Sequence, residues 1–453
     1  MSLKPYPEYI NSGTEWLGEI PATWSVSPVK HLAHLLAGGT PESDNLRYWT
    51  NDGGINWVAI GDMSSRDLVH STARQITQEG QRTKSLPVAP PSTVLFAMYA
   101  SVGEVSILGI HAAWNQALLG FRVNSSRANS KFLFYALKAV SKWLPVFYRR
   151  NTQNNLNAEQ VGNLRLPLPP LPEQSMIIDY LDRETAEIDA FIADQEQLIS
   201  LLSERRTATI THAVTKGLNP NTRMKDSGAS WLGELPSHWS ITKIKYLGDI
   251  KYGLGEPPVY CEEGVPLIRA TNVSAGTITP QKLVYVNPED IPASKIFWLR
   301  NGDIIVVRSG ALTGDSAIIP LQYEGSIAGF DMVFRANKTT DPNFVQYTLL
   351  APYVKSAQID QIRIRAAQPH LNSEELGDCL ITTPPYAEQN AISDYLERET
   401  GEIDAAMAEA REAIALSKER RAAMISAAVT GKIDVRGMGP SANVGEAVSV
   451  GVA

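Results

Sequence analysis

LNAEQVGNLRLPLPPLPEQ, at residues 156–174, recurs as LNSEELGDCLITTPPYAEQ at residues 371–389, an offset of 215. Other stretches keep the same offset. SGTEWLGEIPATW (12–24) returns as SGASWLGELPSHW (227–239), DYLDRETAEIDA (179–190) as DYLERETGEIDA (394–405), and ERRTATITHAVT (204–215) as ERRAAMISAAVT (419–430). Four matches in one register do not arise by chance, so the chain is a tandem duplication, and an internal repeat governs every later reading of the fold. Between the matched frames the copies diverge: residues 25–155 and 240–370 share little beyond scattered Gly, aromatic and Asn positions. One scaffold presenting two variable modules is the expected organisation.

The frames read as helices. After the proline-rich stop at 168–172, residues 173–215 contain neither Pro nor Gly. Ile178, Leu181, Ile188, Ile192, Ile199 and Leu202 form a heptad-type stripe, with Thr185 and Gln195 in the same line. In the second copy the stripe is Leu396, Ile403, Met407, Ala410, Ile414 and Met424. Each helix of about 42 residues would run roughly 60 Å at ~1.5 Å per residue. A narrow apolar seam with acidic flanks needs another helix, and the simplest partner for each copy is the other, as a coiled coil. Any one seam residue is core; the pair as a whole is a ruler between two modules.

The modules read as mixed α/β, with more strand than helix. INWVAIGDM (55–63) and VPLIRATNV (265–273) are short β-branched runs, and 92–108 and 302–319 are each two runs broken by Gly-containing turns. Residues 132–144 and 344–354 read as short helices. The predicted boundaries are an N-terminal segment with the first module at 1–172, a long helix at 173–216, the second module at 217–387, a long helix at 388–436, and a small-residue tail at 437–453 without structure.

Composition narrows the class. With 453 residues, 43% hydrophobic and 20% charged, the chain has the balance of an ordinary globular protein. No apolar run approaches the ~20 residues of a membrane helix, and the N-terminus lacks a signal-peptide core. Two cysteines make neither a disulfide framework nor a zinc site, so the expected compartment is the cytoplasm. The net charge of −7 is unevenly spread: +6 over 22–172, −5 over 173–216, −2 over 237–387 and −3 over 388–436. An acidic total does not exclude nucleic acid when one module is basic.

Catalytic and metal-binding motifs are absent: no GxxxxGK[ST], HExxH, CxxC or GxSxG, and seven scattered histidines without ligand spacing. YGLGEP (252–257) lacks a third glycine and reads as a turn. TPPY (383–386) resembles the Asn/Asp-Pro-Pro-Tyr loop of amino-methyltransferases, but Thr383 stands where the amide or carboxylate should be and no cofactor loop accompanies it. It reads as a strand-to-helix corner, and the chain is not expected to be an enzyme. An autonomous methyltransferase and a coiled-coil adaptor with protein-binding ends are the competing readings.

Sequence-specific DNA binding accounts better for the polar clusters, because Arg, amides and hydroxyls reach base edges while Arg and Lys hold phosphates. The candidates in the first module are Thr40, Asn115 and Gln116, then Arg149, Arg150, Thr152, Gln153 and Asn154 just before a repeat boundary. In the second they are Arg269, Thr271 and Asn272, then Arg308 and Ser309, then Arg363, Arg365, Gln368 and His370. A solvated loop accounts equally well for each cluster alone, and a turn between strands accounts better for 308–310.

Over residues 15–435 the chain resembles the specificity subunit of a type I restriction–modification system. The resemblance rests on the paired LPPLPEQ/TPPYAEQ helix starts, the ERR…AVT helix ends, the WLGE entries, and GGTP (38–41), NWVAIGDM, WNQA and the TQ-x-N run of the first module. The second module departs from it, with YGLGEP and GFDM in place of GGTP and WNQA. The resemblance implies two target recognition domains, joined by two long antiparallel coiled-coil helices with pseudo-two-fold symmetry, each reading one half of a bipartite DNA site. It also implies partners: double-stranded DNA, two methyltransferase subunits that methylate adenine, and motor-nuclease subunits. S-adenosylmethionine, ATP and magnesium would belong to those partners, with no cofactor bound by this chain.

Overall fold

The computed structural model describes residues 5–64, 66–144, 155–256, 258–364 and 370–438. The chain divides into two compact units, Met1–Asp194 with Ala413–Ala453, and Gln195–Glu412. Each unit therefore takes half of each long helix.

The first long helix spans Leu171–Lys216 and the second Tyr386–Val429. Both start at the proline corner, and the repeated Gln locks it. Gln174 Oε1 accepts from the Asn129 amide at 2.8 Å while its Nε2 donates to the Pro169 carbonyl at 3.0 Å. Gln389 repeats this with the Asp341 amide at 2.9 Å and the Pro384 carbonyl at 2.9 Å. Asn129 and Asp341 are themselves the N-caps of the module helices Ser130–Ser141 and Pro342–Leu350, so one buried amide ties the long helix to the helix packed beside it. The first long helix stops at Gly217 (φ +74°) and the second at Gly431 (φ +71°), where Lys432 N–H reaches back to the Ala427 carbonyl at 2.9 Å. The second helix is thus shorter than the 388–436 expected from sequence, because a left-handed glycine ends it.

The helices pair antiparallel within each unit. In the first, Ile178 and Leu181 share a core with Ile425, Ala428 and Val429, and Arg421 makes a bidentate pair with Asp189 at 2.8 and 3.1 Å. In the second, Leu396 shares a core with Ile210, Ala213 and Val214, and Arg206 pairs bidentately with Asp404 at 2.9 and 3.1 Å. These ion pairs are repeat images of one another, since Arg206 and Arg421 are 215 residues apart, as are Asp189 and Asp404. Ile178, Leu181, Ile188, Leu396, Ile403 and Met407 are buried; Ile192, Ile199, Leu202 and Ile414 are half-buried. Thr185 and its image Thr400 occupy the seam by returning their hydroxyls to the Leu181 and Leu396 carbonyls, each at 2.6 Å.

Beside several two-stranded pairings, each unit holds two sheets of four or five strands. In the first, a five-stranded sheet has the order Ala33–Ala37, Leu118–Val123, Val94–Ala97, Val105–Leu108, Leu68–Val69. A four-stranded sheet beside it has the order Ala112–Trp114, Ile55–Val58, Arg74–Ile76, Trp49–Thr50. The second unit has Gly248–Tyr252, Met332–Ala336, Ile304–Val306, Ser316–Ile318 in one sheet, and Tyr260–Cys261, Val284–Val286, Val265–Ile268, Ile327–Ala328 in the other. The fold is mixed, as the sequence patterning indicates. The strand expected over 55–63 ends at Val58 and turns into a one-turn helix, Ile60–Met63, because the Asp62 carboxylate captures the Ala59 amide at 2.8 Å.

Candidate nucleic-acid interface

The divergent loops sit on one hydrogen-bond scaffold in both units. In the first unit, Asn115 N–H donates to the Val58 carbonyl at 3.0 Å, Gly39 N–H to Trp114 at 2.9 Å, and Leu156 N–H to Met98 at 3.0 Å. In the second, Gly329 donates to Ile268 at 2.8 Å, Leu254 to Ala328 at 3.1 Å, and Leu371 to Arg308 at 2.8 Å. Segments 37–40, 98–100 and 115–117 thereby correspond to 252–255, 308–310 and 329–331. A fourth correspondence places Asp62 with Asn272: Asn272 Oδ1 accepts from the Arg269 amide at 3.2 Å, as Asp62 does from Ala59.

The side chains differ sharply. In the first unit Thr40 hydrogen-bonds Gln116, and Asn115 Oδ1 accepts from the Ala117 amide at 3.1 Å. GGTP and WNQA therefore meet. Gly38 makes this possible: a Cβ there would lie 2.1 Å from the Asn115 carbonyl oxygen and 2.4 Å from the Trp114 ring. Arg149, Arg150, Thr152, Gln153 and Asn154 lie outside the described residues.

In the second unit the Arg308 guanidinium carbon lies over two aromatic rings, 3.5 Å from the Phe330 centroid and 4.9 Å from that of Tyr252. Beneath them Asp331 is buried and accepts from the Arg308 amide at 3.3 Å. Burial pushes its carboxyl above the ordinary carboxylate range, against the opposing pull of the Arg308 and Ala270 amides and the Arg308 charge. Ser309 bridges to exposed His370, and Thr271 is exposed. Arg363 falls in the short helix Asp360–Ile364, whereas Arg365 and Gln368 lie outside the described residues.

One expected contact is corrected. Asn272 is fully buried, and its Nδ2 donates to the Thr279 and Gln281 carbonyls at 3.2 and 3.1 Å. It braces the loop and has no group left for a base edge. Arg269 is similarly committed, with Nη1 on the Tyr260 hydroxyl at 3.4 Å and Nη2 on the Lys282 carbonyl at 2.7 Å. The aromatic members of the surface were not singled out from the sequence: Tyr99, Tyr252 and Phe330 are each about two-fifths exposed, and exposed Arg74 lies 3.5 Å over the Trp49 ring. An aromatic next to Gly in a polar loop, as in GFDM, was the available signal.

Cys379 is buried and its thiol is pushed up to about 12 by burial. Among the described residues no cluster of three His, Cys, Asp or Glu could hold a metal ion, and no helix is long and apolar enough to cross a membrane. TPPY is a corner: Thr383 ends the strand Leu380–Thr383 and Tyr386 begins the long helix.

Comparison with known proteins agrees with this arrangement. Residues 21–199 match the model of the type I restriction modification DNA specificity domain. The chain is 24% identical to the MjaVIII specificity subunit of Methanocaldococcus jannaschii, over 75% of this chain and 78% of that one. It is 22% identical to the EcoKI specificity subunit of Escherichia coli K12, over 84% and 83%. Residues 21–199 thus carry the likeness to the DNA specificity domain, and over most of its length the chain is similar to specificity subunits of type I restriction enzymes. A solved chain from a study of complex assembly and conformational transition in the type I R-M system shares the fold, with a TM-score of 0.62 at 17% identity, covering 90% of this chain and 98% of that one. A specificity subunit is the DNA-recognition component of its complex and not the catalyst, and it works assembled with other subunits.

Proposed function

We propose that this specificity subunit reads a bipartite, gapped DNA sequence, one half through each variable module. In this assignment 1–172 and 217–387 hold the first and second target recognition domains, and 437–453 is a tail. The observation that carries it is the shared loop scaffold bearing different side chains: Thr40 and Gln116 in one unit, Arg308, Tyr252 and Phe330 in the other. Two different surfaces on one frame are what an asymmetric site with two unlike halves requires. The long helices, 46 and 44 residues, set the gap. At ~1.5 Å per residue they run roughly 65–70 Å, long enough to address major-groove faces separated by one or more turns of ~34 Å.

Two methyltransferase subunits dock on these helices, whose outer faces carry exposed Phe191, Leu198, Leu201 and Leu416 among acidic residues. Acidic helices suit protein partners better than phosphate. The partners supply S-adenosylmethionine chemistry on adenine; motor-nuclease subunits using ATP and magnesium join them to cleave unmodified DNA, and the complex works in the cytoplasm.

The test is co-expression with the modification subunits and single-molecule mapping of adenine methylation across the genome. A gapped motif that depends on this chain is the expected result. A stable complex that methylates nothing favours the adaptor reading, and methylation by this chain alone would make it an enzyme. Arg150→Ala or Gln153→Ala should degrade one half-site while leaving assembly intact.

A further inference from the structure

We infer that Arg308 is a base-reading residue of the second unit, and that its half-site contains a guanine recognised by this guanidinium. The inference rests on the half-site reading above and goes beyond it to a side chain and a base.

Three observations carry it. First, the guanidinium carbon lies over two rings, 3.5 Å from the Phe330 centroid and 4.9 Å from that of Tyr252, and the Tyr252 hydroxyl is itself held, accepting from the Ser373 amide at 2.8 Å. Second, its backbone is fixed on both sides: Arg308 N–H is bound by Asp331, and its carbonyl accepts from Leu371. Third, Nε is buried without a hydrogen-bond partner, and among the described residues neither terminal nitrogen has one. The neighbouring arginines have terminal nitrogens already engaged, both of them in Arg269, on Tyr260 and Lys282, and Nη2 in Arg335, on Asp303, although Arg269 Nε, like that of Arg308, is buried without a partner. A planar, preorganised fork with unclaimed donors beside exposed aromatics matches the paired O6 and N7 acceptors of guanine in the major groove. The equivalent position in the first unit is Met98, buried and without donors, so the contact belongs to one half-site only.

The test compares wild-type complex with R308K and R308A complexes by methylation mapping and by binding to oligonucleotide duplexes substituted at each position of the motif. Lysine keeps the charge and loses the fork. The expected result is that R308K and R308A both relax one G·C requirement in a single half-site, by roughly 5- to 150-fold in discrimination, with the other half unchanged. Should R308A fail to assemble, R308K decides. A motif that stays equally strict in R308K, with binding weakened uniformly across sequences in R308A, identifies a phosphate contact and overturns the inference. A wild-type motif with no G·C pair in either half also overturns it. Absence of any gapped motif from the wild-type complex would instead remove the half-site reading, and this assignment with it.

Discussion

The two units have the same frame and opposite ways of filling it. Their helix starts, caps and ion pairs repeat residue for residue: Gln174 and Gln389, Thr185 and Thr400, Arg421–Asp189 and Arg206–Asp404. The loops mounted on that frame share their main-chain hydrogen bonds and almost none of their side chains. Backbone hydrogen bonds fix where a loop stands without dictating what it carries, so recognition can change while the frame stays constant.

The first way to break the comparison is to charge the frame. Leu181→Asp and Leu396→Asp each place a carboxylate at a fully buried position, at a cost of about 4 kcal/mol or more. Hydrogen exchange should show protection lost around the altered unit, with failure of the complex to assemble; normal protection in either variant would mean that its seam residue is not core.

A smaller effect separates the two loop braces. Asn272→Ala removes three hydrogen bonds from a fully buried site and should cost about 2–3 kcal/mol in chemical denaturation. Asp62 is only half-buried and braces the Ala59 and Ala73 amides, so Asp62→Ala should cost about 1 kcal/mol. Equal losses would deny that the second unit depends more on its brace.

Two carboxyls should respond to pH in opposite directions. Asp67 in the first unit is raised by burial but lowered further by Lys138 and Arg421, and ends below its usual value. The stability it contributes is present above the unfolded carboxylate value of about 3.9 and is lost as pH falls through its depressed folded value. Asp331 is raised, chiefly by burial. The folded state then holds that proton more tightly, so stability declines as pH rises from about 3.9 toward the raised value. Asp331→Asn should flatten the second dependence and Asp67→Asn the first. Unit-resolved exchange across pH 3–7 measures both; a shared sign would refute the contrast.

The smallest effect concerns the repeated ion pairs. Asp404→Ala leaves Arg206 without a carboxylate, whereas Asp189→Ala leaves Arg421 still paired with Asp67. Both carboxylates are substantially exposed, so the loss for Asp404→Ala should be about 1 kcal/mol or less, and smaller still for Asp189→Ala. The reverse order by double-mutant analysis would mean that Asp67 does not support Arg421.

The sequence by itself determined the duplication, the two long helices, their starts at the proline corners and the mixed class of the modules. These follow from constant offset and from hydrophobic period, which are local properties of the chain. Some of the polar residues it named also lie together in space, Thr40 with Gln116 and Ser309 with His370. What it could not rank was the role of each polar side chain. Asn272 and Thr271 are neighbours of the same kind, yet one is sealed beneath the loop and the other faces solvent. Tyr252 and Phe330 lie 78 positions apart and form one slot only after parallel pairing of Val265–Ile268 with Ile327–Ala328 sets the loops side by side. Tertiary structure decided those matters, because burial and stacking depend on which distant strands pair, and that is not written in any local window of residues.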